Sequence, residues 1–358
     1  MNDVAARPGD PSGALREYWY VACTSGELPQ RALHAVTVLG LGLVLYRRER
    51  GGITALLDQC LHRGTALSAG RLQDDCVTCP YHGWRYDADG RVVHIPSVDG
   101  VHPASAAQRP RQRCFVTRER DGLIWVYLGD DATAAGEPFR MPYVGDPAWV
   151  TYYMLNTFAG DVSALAQNFM DVPHTVYVHD RIFRKTAGRQ MRSTVELTPR
   201  SVEVTYHDGD DAIGMLPWLT NPHGAALTHT DKFFAPNVTR CDYHWGDRSS
   251  FIITSQMTPL ETARCRVYTL ISYRFPLQLW LQRAIRPLIH LYTWRVIQQD
   301  VAIMKLRARG LSNAPGARAH SVEADLVHLA IERLIAASRA GEPLPPAALG
   351  TREMRFEI

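Results

Sequence analysis

The stretch that decides the fold reads CLHRG at residues 60–64 and CPYHGWRYD at residues 79–87, with sixteen residues between the two short Cys/His pairs. Two thiolates can hold one iron of a [2Fe–2S] cluster while two imidazoles hold the other, and neutral imidazoles in place of thiolates raise the reduction potential of the cluster. We therefore predict that the cluster is bound by Cys60, His62, Cys79 and His82.

A zinc site is the alternative interpretation of the same stretch. Cys76 and Cys79 form a Cys-x2-Cys pair, which could hold zinc together with Cys60 and His62. That assignment leaves His82 without a role and does not explain the Pro-Tyr-His-Gly-Trp sequence after Cys79. The cluster is the better interpretation, and a zinc-stabilised binding protein without redox activity stays open as an alternative.

The segments around these loops are short and strand-like, and Gly and Asp-Gly turns separate them. The predicted strands are 35–46, 53–57, 91–95, 114–119 and 123–128. After a loose lead-in at residues 1–14, this pattern predicts a small all-β domain over residues 15–130.

The rest of the chain, residues 131–358, has a mixed pattern that predicts a larger second domain of the α+β class. Helical spacing runs over residues 162–178, 277–309 and 321–339. The strand candidates of this domain are 191–198, 201–207, 250–257 and 264–273.

A second group of candidate ligands lies within NFMDVPHTVYVH at residues 168–179. Asn168, Asp171 and His174 are spaced by three and would share one face of a helix. His174 and His179 are five apart, about 140° around an ideal helix, so they converge only if the helix is distorted or ends between them. Pro173 disturbs it. Two histidines and a carboxylate are the ligand set of non-haem Fe(II), although this motif alone leaves ordinary histidines open.

Both groups resemble those of the Rieske oxygenases, and in particular the vanillate/dicamba O-demethylase-like group. Respiratory Rieske proteins carry an additional cysteine in each loop, and residues 63–67 and 83–86 contain none. The sequence DADGRVVHIPS at 87–97 is similar to the strand after the second loop of the oxygenases. The resemblance implies an N-terminal all-β Rieske domain followed by a helix-grip catalytic domain, an antiparallel sheet with helices.

The same resemblance assigns roles to individual residues. His174 and His179 would bind a mononuclear Fe(2+), and Asp171 would bridge His174 and His82 of a neighbouring subunit. The third ligand is expected on a late helix, where Asp300 fits; Glu261 and Asp242 are weaker competitors.

The resemblance further implies a terminal oxygenase component that works as a monooxygenase. It would use O₂ and electrons from an NAD(P)H-dependent reductase, with or without a ferredoxin, to hydroxylate or oxidatively demethylate a small aromatic or cyclic substrate. N-oxygenation of an arylamine and ring cis-dihydroxylation are alternatives, and a pure electron carrier is a distant one. A head-to-tail homotrimer is expected. The chain has no G-x-G-x-x-G fingerprint, so the electrons must come from a partner.

Composition excludes several other classes of protein. The 39 basic and 36 acidic residues give a net charge of +3, too balanced for nucleic acid or an anionic membrane as the main partner. No apolar run reaches the roughly 20 residues of a membrane span, and the N-terminus does not read as a signal peptide. Seven scattered cysteines argue against a disulfide framework, so a cytoplasmic location is expected.

Candidate substrate-pocket residues come from the apolar and aromatic positions of the second domain. They are Phe158, Leu165, Met215, Trp218, Phe233, Phe251 and Ile253. Such residues are more often core than pocket, so the sequence does not identify the substrate.

Overall fold

The computed structural model describes residues 15–99, 108–180, 190–207, 217–316 and 319–358, and it divides into two compact units. The units are Met1–Arg140 and Met141–Ile358. Residues 131–140 were expected in the second domain, whereas here they group with the first. The reason is visible in two contacts: Trp19 Nε1 donates to the carbonyl oxygen of Ala135 at 2.6 Å, and Arg120 pairs with Glu137 at 3.2 Å.

The first unit is built from ten strands, and its described residues contain no α-helix, as predicted. The strands are β1 (Trp19–Thr24), β2 (His34–Val38), β3 (Leu41–Arg47), β4 (Ile53–Leu57), β5 (Arg71–Gln73), β6 (Cys76–Thr78), β7 (Arg85–Tyr86), β8 (Val92–His94), β9 (Cys114–Arg120) and β10 (Leu123–Tyr127). They form a six-stranded sheet in the order β1-β10-β9-β4-β3-β2 and a four-stranded sheet in the order β5-β6-β7-β8.

One predicted strand of this unit is in fact a hairpin. Residues 35–46 were expected to be continuous, but the chain reverses at Leu39 and Gly40, which have φ values of 51° and 72°. Two consecutive positive φ angles are the backbone of a tight hairpin turn, which pairs β2 with β3.

Two apolar cores stabilise the first unit. One packs against the six-stranded sheet and contains Tyr20, Leu43, Leu45 and Ile124. The second lies under the two Cys/His loops, where Tyr46, Leu56, Val77 and Tyr86 surround the two cysteines Cys60 and Cys79. The loops are thus anchored by burial of their own cysteines.

The second unit is an eight-stranded antiparallel sheet with helices, which confirms the predicted fold class. Its strands are β11 (Val150–Ala159), β12 (Gln190–Leu197), β13 (Ser201–Tyr206), β14 (Leu227–Phe234), β15 (Val238–Trp245), β16 (Ser249–Glu261), β17 (Arg264–Arg274) and β18 (Gly350–Glu357), in the order β11-β17-β16-β15-β14-β13-β12-β18. Its helices are α1 (Val162–Phe169), α2 (Thr175–Val178), α3 (Pro217–Thr220), α4 (Leu279–Ala284), α5 (Arg286–Asn313) and α6 (Leu326–Ala340).

Half of this sheet was missed from the sequence. Strands β11, β14, β15 and β18 were not predicted. In β14 the inward face carries His229 and Asp231, and in β18 most side chains are exposed and charged. Both features weaken the apolar alternation on which a sequence-based assignment relies.

Helices α1 and α6 cover one end of the sheet, and the long helix α5 packs along β11. Asp300, Val301 and Met304 are the buried residues in the middle of α5, so this helix carries one carboxylate into the interior. None of the helices in the described ranges combines the length and apolar character that a membrane crossing requires.

Candidate metal centres

The two Cys/His loops of the first unit share one backbone design. In the first, the amide of Gly64 donates to the carbonyl oxygen of Cys60 at 2.8 Å, and in the second Gly83 donates to Cys79 at 3.1 Å. Both glycines have left-handed backbone, with φ values of 75° and 72°, which other residues adopt at a cost. A Cβ at Gly83 would also lie 3.0 Å from Pro96. These glycines therefore allow each loop to fold back over its cysteine.

The side chains of the loops fit a [2Fe–2S] cluster. Cys60 and Cys79 are buried, and the rings of His62 and His82 lie 4.4 Å apart. Nδ1 of His62 is buried and has no hydrogen-bond partner within the described residues. A buried ring nitrogen without a partner is costly, and a bond to iron would satisfy it. Trp84 stacks on His62 with an angle of 5° between the rings and so fixes its orientation.

The zinc alternative is not supported by this geometry. A tetrahedral zinc would draw its ligand atoms to within about 4 Å of one another. Over the described part of the chain, the ligand atoms of Cys60, His62, Cys76 and Cys79 do not form such a group. A cluster with two irons, in contrast, needs its cysteine and histidine pairs on opposite sides.

Tyr86 belongs to the candidate cluster site, although the sequence motif alone gave it no role. Its hydroxyl lies 3.2 Å from Sγ of Cys60 and accepts a hydrogen bond from the amide of Leu61 at 2.9 Å. Its position in CPYHGWRYD was part of the quoted motif, but only the fold brings residues 26 positions apart into contact.

The second centre forms where α1 ends. The helical spacing predicted over residues 162–178 is interrupted near Pro173, as expected: α1 stops at Phe169, and His174 and His179 flank the four-residue helix α2. Asn168, Asp171 and His174 therefore do not share one helical face. The break before Pro173 agrees with the clash that a proline ring creates in a continuing helix, and it lets the two histidines converge.

Three ligand atoms meet at this centre. Nε2 of His174 lies 3.2 Å from Nε2 of His179, and Oδ1 of Asp300 lies 3.4 Å and 3.3 Å from these two atoms. Metal–ligand bonds of about 2.0–2.2 Å at roughly 90–110° place neighbouring ligand atoms about 3–3.5 Å apart. The set therefore has the spacing of three ligands on one face of a metal ion.

Electrostatics at the centre also fit a cation. Burial opposes ionisation of Asp300, but the adjacent imidazoles of His174 and His179 outweigh it and lower the pKa of Asp300 to about 2. The carboxylate is thus ionised in the interior. Glu261 and Asp242, the competing candidates, pair instead with Arg264 at 3.1 Å and Arg240 at 2.6 Å.

Neighbouring side chains orient the three candidate ligands. Gln299 Oε1 lies 3.0 Å from Nδ1 of His179, and the amide of Asn168 donates to Asp300 at 3.1 Å. Nδ1 of His174 is buried and unpaired within the described residues, with Asp171 Oδ2 3.9 Å away. Gln299 was not predicted, because nothing in its sequence context marks it before α5 is placed.

One cavity adjoins these ligands. Its lining comes from α1, α2, α5 and the inner face of the sheet, and it includes Asn168, Asp171, His174, His179 and Asp300. Of the predicted pocket residues, Phe158 and Ile253 line it. Leu165, Phe233 and Phe251 are buried in the apolar cores; Met215 and the side chain of Trp218 lie outside the described residues.

Comparison with known proteins matches both halves of the chain. Residues 18–105 match the family described as the Rieske [2Fe-2S] domain, and residues 158–340 match the vanillate O-demethylase oxygenase C-terminal domain. The chain belongs to the vanillate O-demethylase oxygenase family. This membership confirms the resemblance seen in the sequence and the two predicted cofactors, a [2Fe–2S] cluster and a mononuclear iron.

Individual relatives agree with the family. The oxygenase component of dicamba O-demethylase from Stenotrophomonas maltophilia is 40% identical over 46% of this chain and 48% of its own length. The vanillate O-demethylase oxygenase subunit of a Pseudomonas species is 38% identical over 38% of this chain and 40% of its own. The matched regions thus span about half of these curated relatives.

Solved structures agree over a longer range. Dicamba monooxygenase bound to 3,6-dichlorosalicylic acid superposes with a TM-score of 0.77 at 26% identity, over 92% of this chain and 98% of that one. NdmA of Pseudomonas putida CBB5 has a TM-score of 0.70 at 19% identity, over 93% of each chain, and shows the same fold.

Proposed function

We propose that this chain is the terminal oxygenase component of a Rieske-type monooxygenase system. It would hydroxylate or oxidatively demethylate a small aromatic or cyclic substrate. The observation that carries the proposal is the convergence of His174, His179 and Asp300 on one point in a cavity wall, in a chain that also carries the two Rieske loops. When bound, the cluster supplies single electrons and the mononuclear iron supplies the site of dioxygen activation.

The ligand assignments are part of this proposal. Cys60 and Cys79 would hold one iron of the cluster and His62 and His82 the other. The buried and unpaired Nδ1 of His62 supports this assignment. For the mononuclear iron, the ligand atoms would be Nε2 of both histidines and one oxygen of Asp300, as their mutual spacing of 3.2–3.4 Å supports.

Residues around the mononuclear site would orient and connect these ligands. Gln299 accepts the Nδ1 proton of His179, which leaves Nε2 of that ring free to bind metal. Asn168 holds one oxygen of Asp300. Asp171 would accept the Nδ1 proton of His174 and link it to His82 of a neighbouring subunit, as expected in a head-to-tail homotrimer.

The proposed link between Asp171 and His82 of a neighbouring subunit is supported by the exposure of both residues. His82 and its neighbour Tyr81 are exposed on the first unit, and Asp171 keeps 26% of its side chain exposed on the second. A carboxylate accepting from both imidazoles would couple the protonation of one centre to the redox state of the other. We also place an NAD(P)H-dependent reductase, with or without a ferredoxin, upstream of the cluster, and the protein in the cytoplasm.

The test is turnover by the reconstituted system. Purified protein with its full iron content would be mixed with NADH, a surrogate reductase and a series of methoxylated and unsubstituted aromatic compounds. Substrate-dependent O₂ consumption, with formaldehyde released from the methoxylated compounds or ¹⁸O from ¹⁸O₂ in a hydroxylated product, would support the proposal. A protein that contains only zinc, or one that takes up electrons without consuming O₂ for any compound, would contradict it.

A further inference from the structure

The cavity that adjoins the proposed iron ligands is also lined by a buried carboxylate that the proposed function does not use. Asp231 lies on β14, where alternate residues face the interior, and its side chain is 3% exposed. The register of the sheet places it directly opposite Cys241 on β15, and both residues line the cavity.

Three aromatic rings hold this carboxylate in place. Nε2 of His229 lies 3.0 Å from Oδ1 of Asp231, and the hydroxyl of Tyr206 donates to Oδ2 at 3.2 Å. The ring of His229 is itself stacked between Tyr206 and Tyr243, with 4.4 Å between ring centroids on each side. His229 is not part of the cavity lining, so its Nε2 serves Asp231 and not a ligand.

Asp231 keeps acceptor capacity on the cavity side. A carboxylate has about four acceptor positions, and His229 and Tyr206 occupy two of those of Asp231. The thiol of Cys241, its cross-strand neighbour, lies within hydrogen-bond reach of both Asp231 and the carbonyl oxygen of Phe169, the latter at 3.4 Å. Even with this third donor, at least one acceptor position of Asp231 is left for a substrate. Burial, together with the negative charge of Asp231, raises the pKa of Cys241 well above its usual value, so the thiol stays neutral.

The lining offers no lysine or arginine side chain to an anion within the described residues. The hydroxyls of Ser255 and Thr269 bond to each other at 3.1 Å, and the amide of Asn168 donates to Asp300. A carboxylate on the substrate would therefore be desolvated beside the negative charge of Asp231 without a lysine or arginine in the described lining to balance it, which is unfavourable.

We propose that Asp231 is a specificity-determining residue that accepts a hydrogen bond from a hydroxyl or amino group of the substrate and excludes substrates that carry a carboxylate. This inference rests on the proposed oxygenase function, because it assigns a substrate class to that same cavity. A phenolic or arylamine donor would complete the hydrogen bonding of Asp231, and the apolar residues Phe158 and Ile253 would contact the ring.

The experiment uses four compounds that differ in one group: 4-methoxyphenol, 4-methoxyaniline, anisole and 4-methoxybenzoate. Binding to the intact iron-loaded protein would be measured anaerobically by calorimetry, and formaldehyde release would be measured with O₂ and a surrogate reductase. In the wild-type protein we expect the phenol or the aniline to bind at least ten-fold more tightly than the benzoate, with anisole between them. Comparison of the phenol with the aniline identifies which donor is preferred.

Two substitutions test the residue itself. Asp231→Asn supplies an amide donor at the same position, so the preference for the donor compounds over the benzoate should fall at least ten-fold. The matched control is Asp242→Asn on the next strand: Asp242 is equally buried, but it pairs with Arg240 and does not line the cavity. This control should leave the order of the four compounds unchanged.

The outcomes separate this inference from the proposed function. If the wild-type protein binds the benzoate most tightly, the proposed role of Asp231 is overturned, even if the Asp231→Asn variant fails to fold. It is also overturned if Asp231→Asn and Asp242→Asn change the preference among the four compounds to the same extent. If the four compounds bind in the expected order and none is turned over, the substrate class stands while the oxygenase proposal loses support.

Discussion

Nδ1 of His179 lies 3.0 Å from Oε1 of Gln299, the residue immediately before Asp300 on α5. An amide oxygen can only accept a hydrogen bond, so this contact keeps the proton of the imidazole on Nδ1. The lone pair is then on Nε2, the atom that faces His174 and Asp300. One turn of α5 thus supplies both the proposed ligand Asp300 and Gln299, which orients the proposed ligand His179.

Replacing Gln299 by leucine should weaken mononuclear iron binding while the cluster remains. Without this acceptor, the imidazole of His179 can change its tautomer and rotate. Groups that orient metal ligands in this way typically contribute about 10- to 100-fold in metal affinity. The measurement is iron content after dialysis against graded chelator, with cluster absorbance recorded in parallel. Gln298→Leu is the control, because Gln298 donates to Asn156 on β11 and not to a ligand. Equal iron loss in both variants would refute the role of Gln299.

Replacing His174 by alanine should remove the mononuclear iron and leave the [2Fe–2S] cluster. The variant loses one of three converging ligand atoms, whereas the cluster ligands belong to the first unit. Metal analysis should fall from about three irons per chain to about two, and the signal of the reduced cluster should persist. His290→Ala, at an exposed position on the same unit, should keep all the iron. Loss of both centres from the His174 variant would mean that the ligands are misassigned.

Replacing Asp171 by alanine should preserve both metal centres and abolish turnover. Asp171 is 3.9 Å from the unpaired Nδ1 of His174 and is not itself one of the three converging ligands. We expect the cluster spectrum and iron content of the wild type, with reoxidation of the reduced cluster by substrate and O₂ slowed by about 100-fold or more. Asp180→Ala, an exposed carboxylate nearby, serves as the control. Wild-type turnover in the Asp171 variant would rule out the proposed bridge.

Replacing Tyr86 by phenylalanine should lower the reduction potential of the cluster. The variant loses the hydroxyl that lies 3.2 Å from Sγ of Cys60, and hydrogen bonds to cluster sulfur stabilise the more negative, reduced state. If the hydrogen bond stabilises the reduced cluster by about 1.4 kcal/mol, its loss lowers the one-electron reduction potential by roughly 60 mV. Spectroscopic redox titration would measure the shift.

Tyr46→Phe is the matched control for this change. Tyr46 belongs to the same apolar core, but its hydroxyl donates to the carbonyl oxygen of Asp75. Its variant should keep the wild-type potential even if the unfolding temperature falls. An unchanged potential in Tyr86→Phe would show that this hydroxyl does not act on the cluster.

The cluster site could be predicted in detail because its chemistry is local. Each of its two loops carries its ligands within four residues, and glycines 64 and 83 supply the turns, so short-range sequence contains most of the information. The second centre was predicted less completely. The sequence predicted its two histidines, Asp300 and a disturbance of the helix at Pro173, but not that the helix already ends at Phe169, because helical spacing does not show where tertiary packing ends a helix.

The inner face of the sheet was hardest to predict from sequence. His229 and Asp231 interrupt the apolar pattern of β14, and that pattern is what marks a buried strand. Their burial is tolerated because Tyr206 and Tyr243 from the neighbouring strands pack around them. Partners of this kind become visible only when the strand order and register are known.

By itself the sequence determined the type of chemistry, since the metals are chosen by residue types at short spacing: two Cys/His pairs for a cluster, and two histidines for a mononuclear iron. Only the tertiary structure decided that Asp300, 121 positions after His179, comes within 3.3 Å of it, and that Asp231 lines the same cavity. The physical reason is that bond geometry restricts neighbours in the chain, whereas contacts between distant residues depend on how the sheet and α5 bury their apolar faces together.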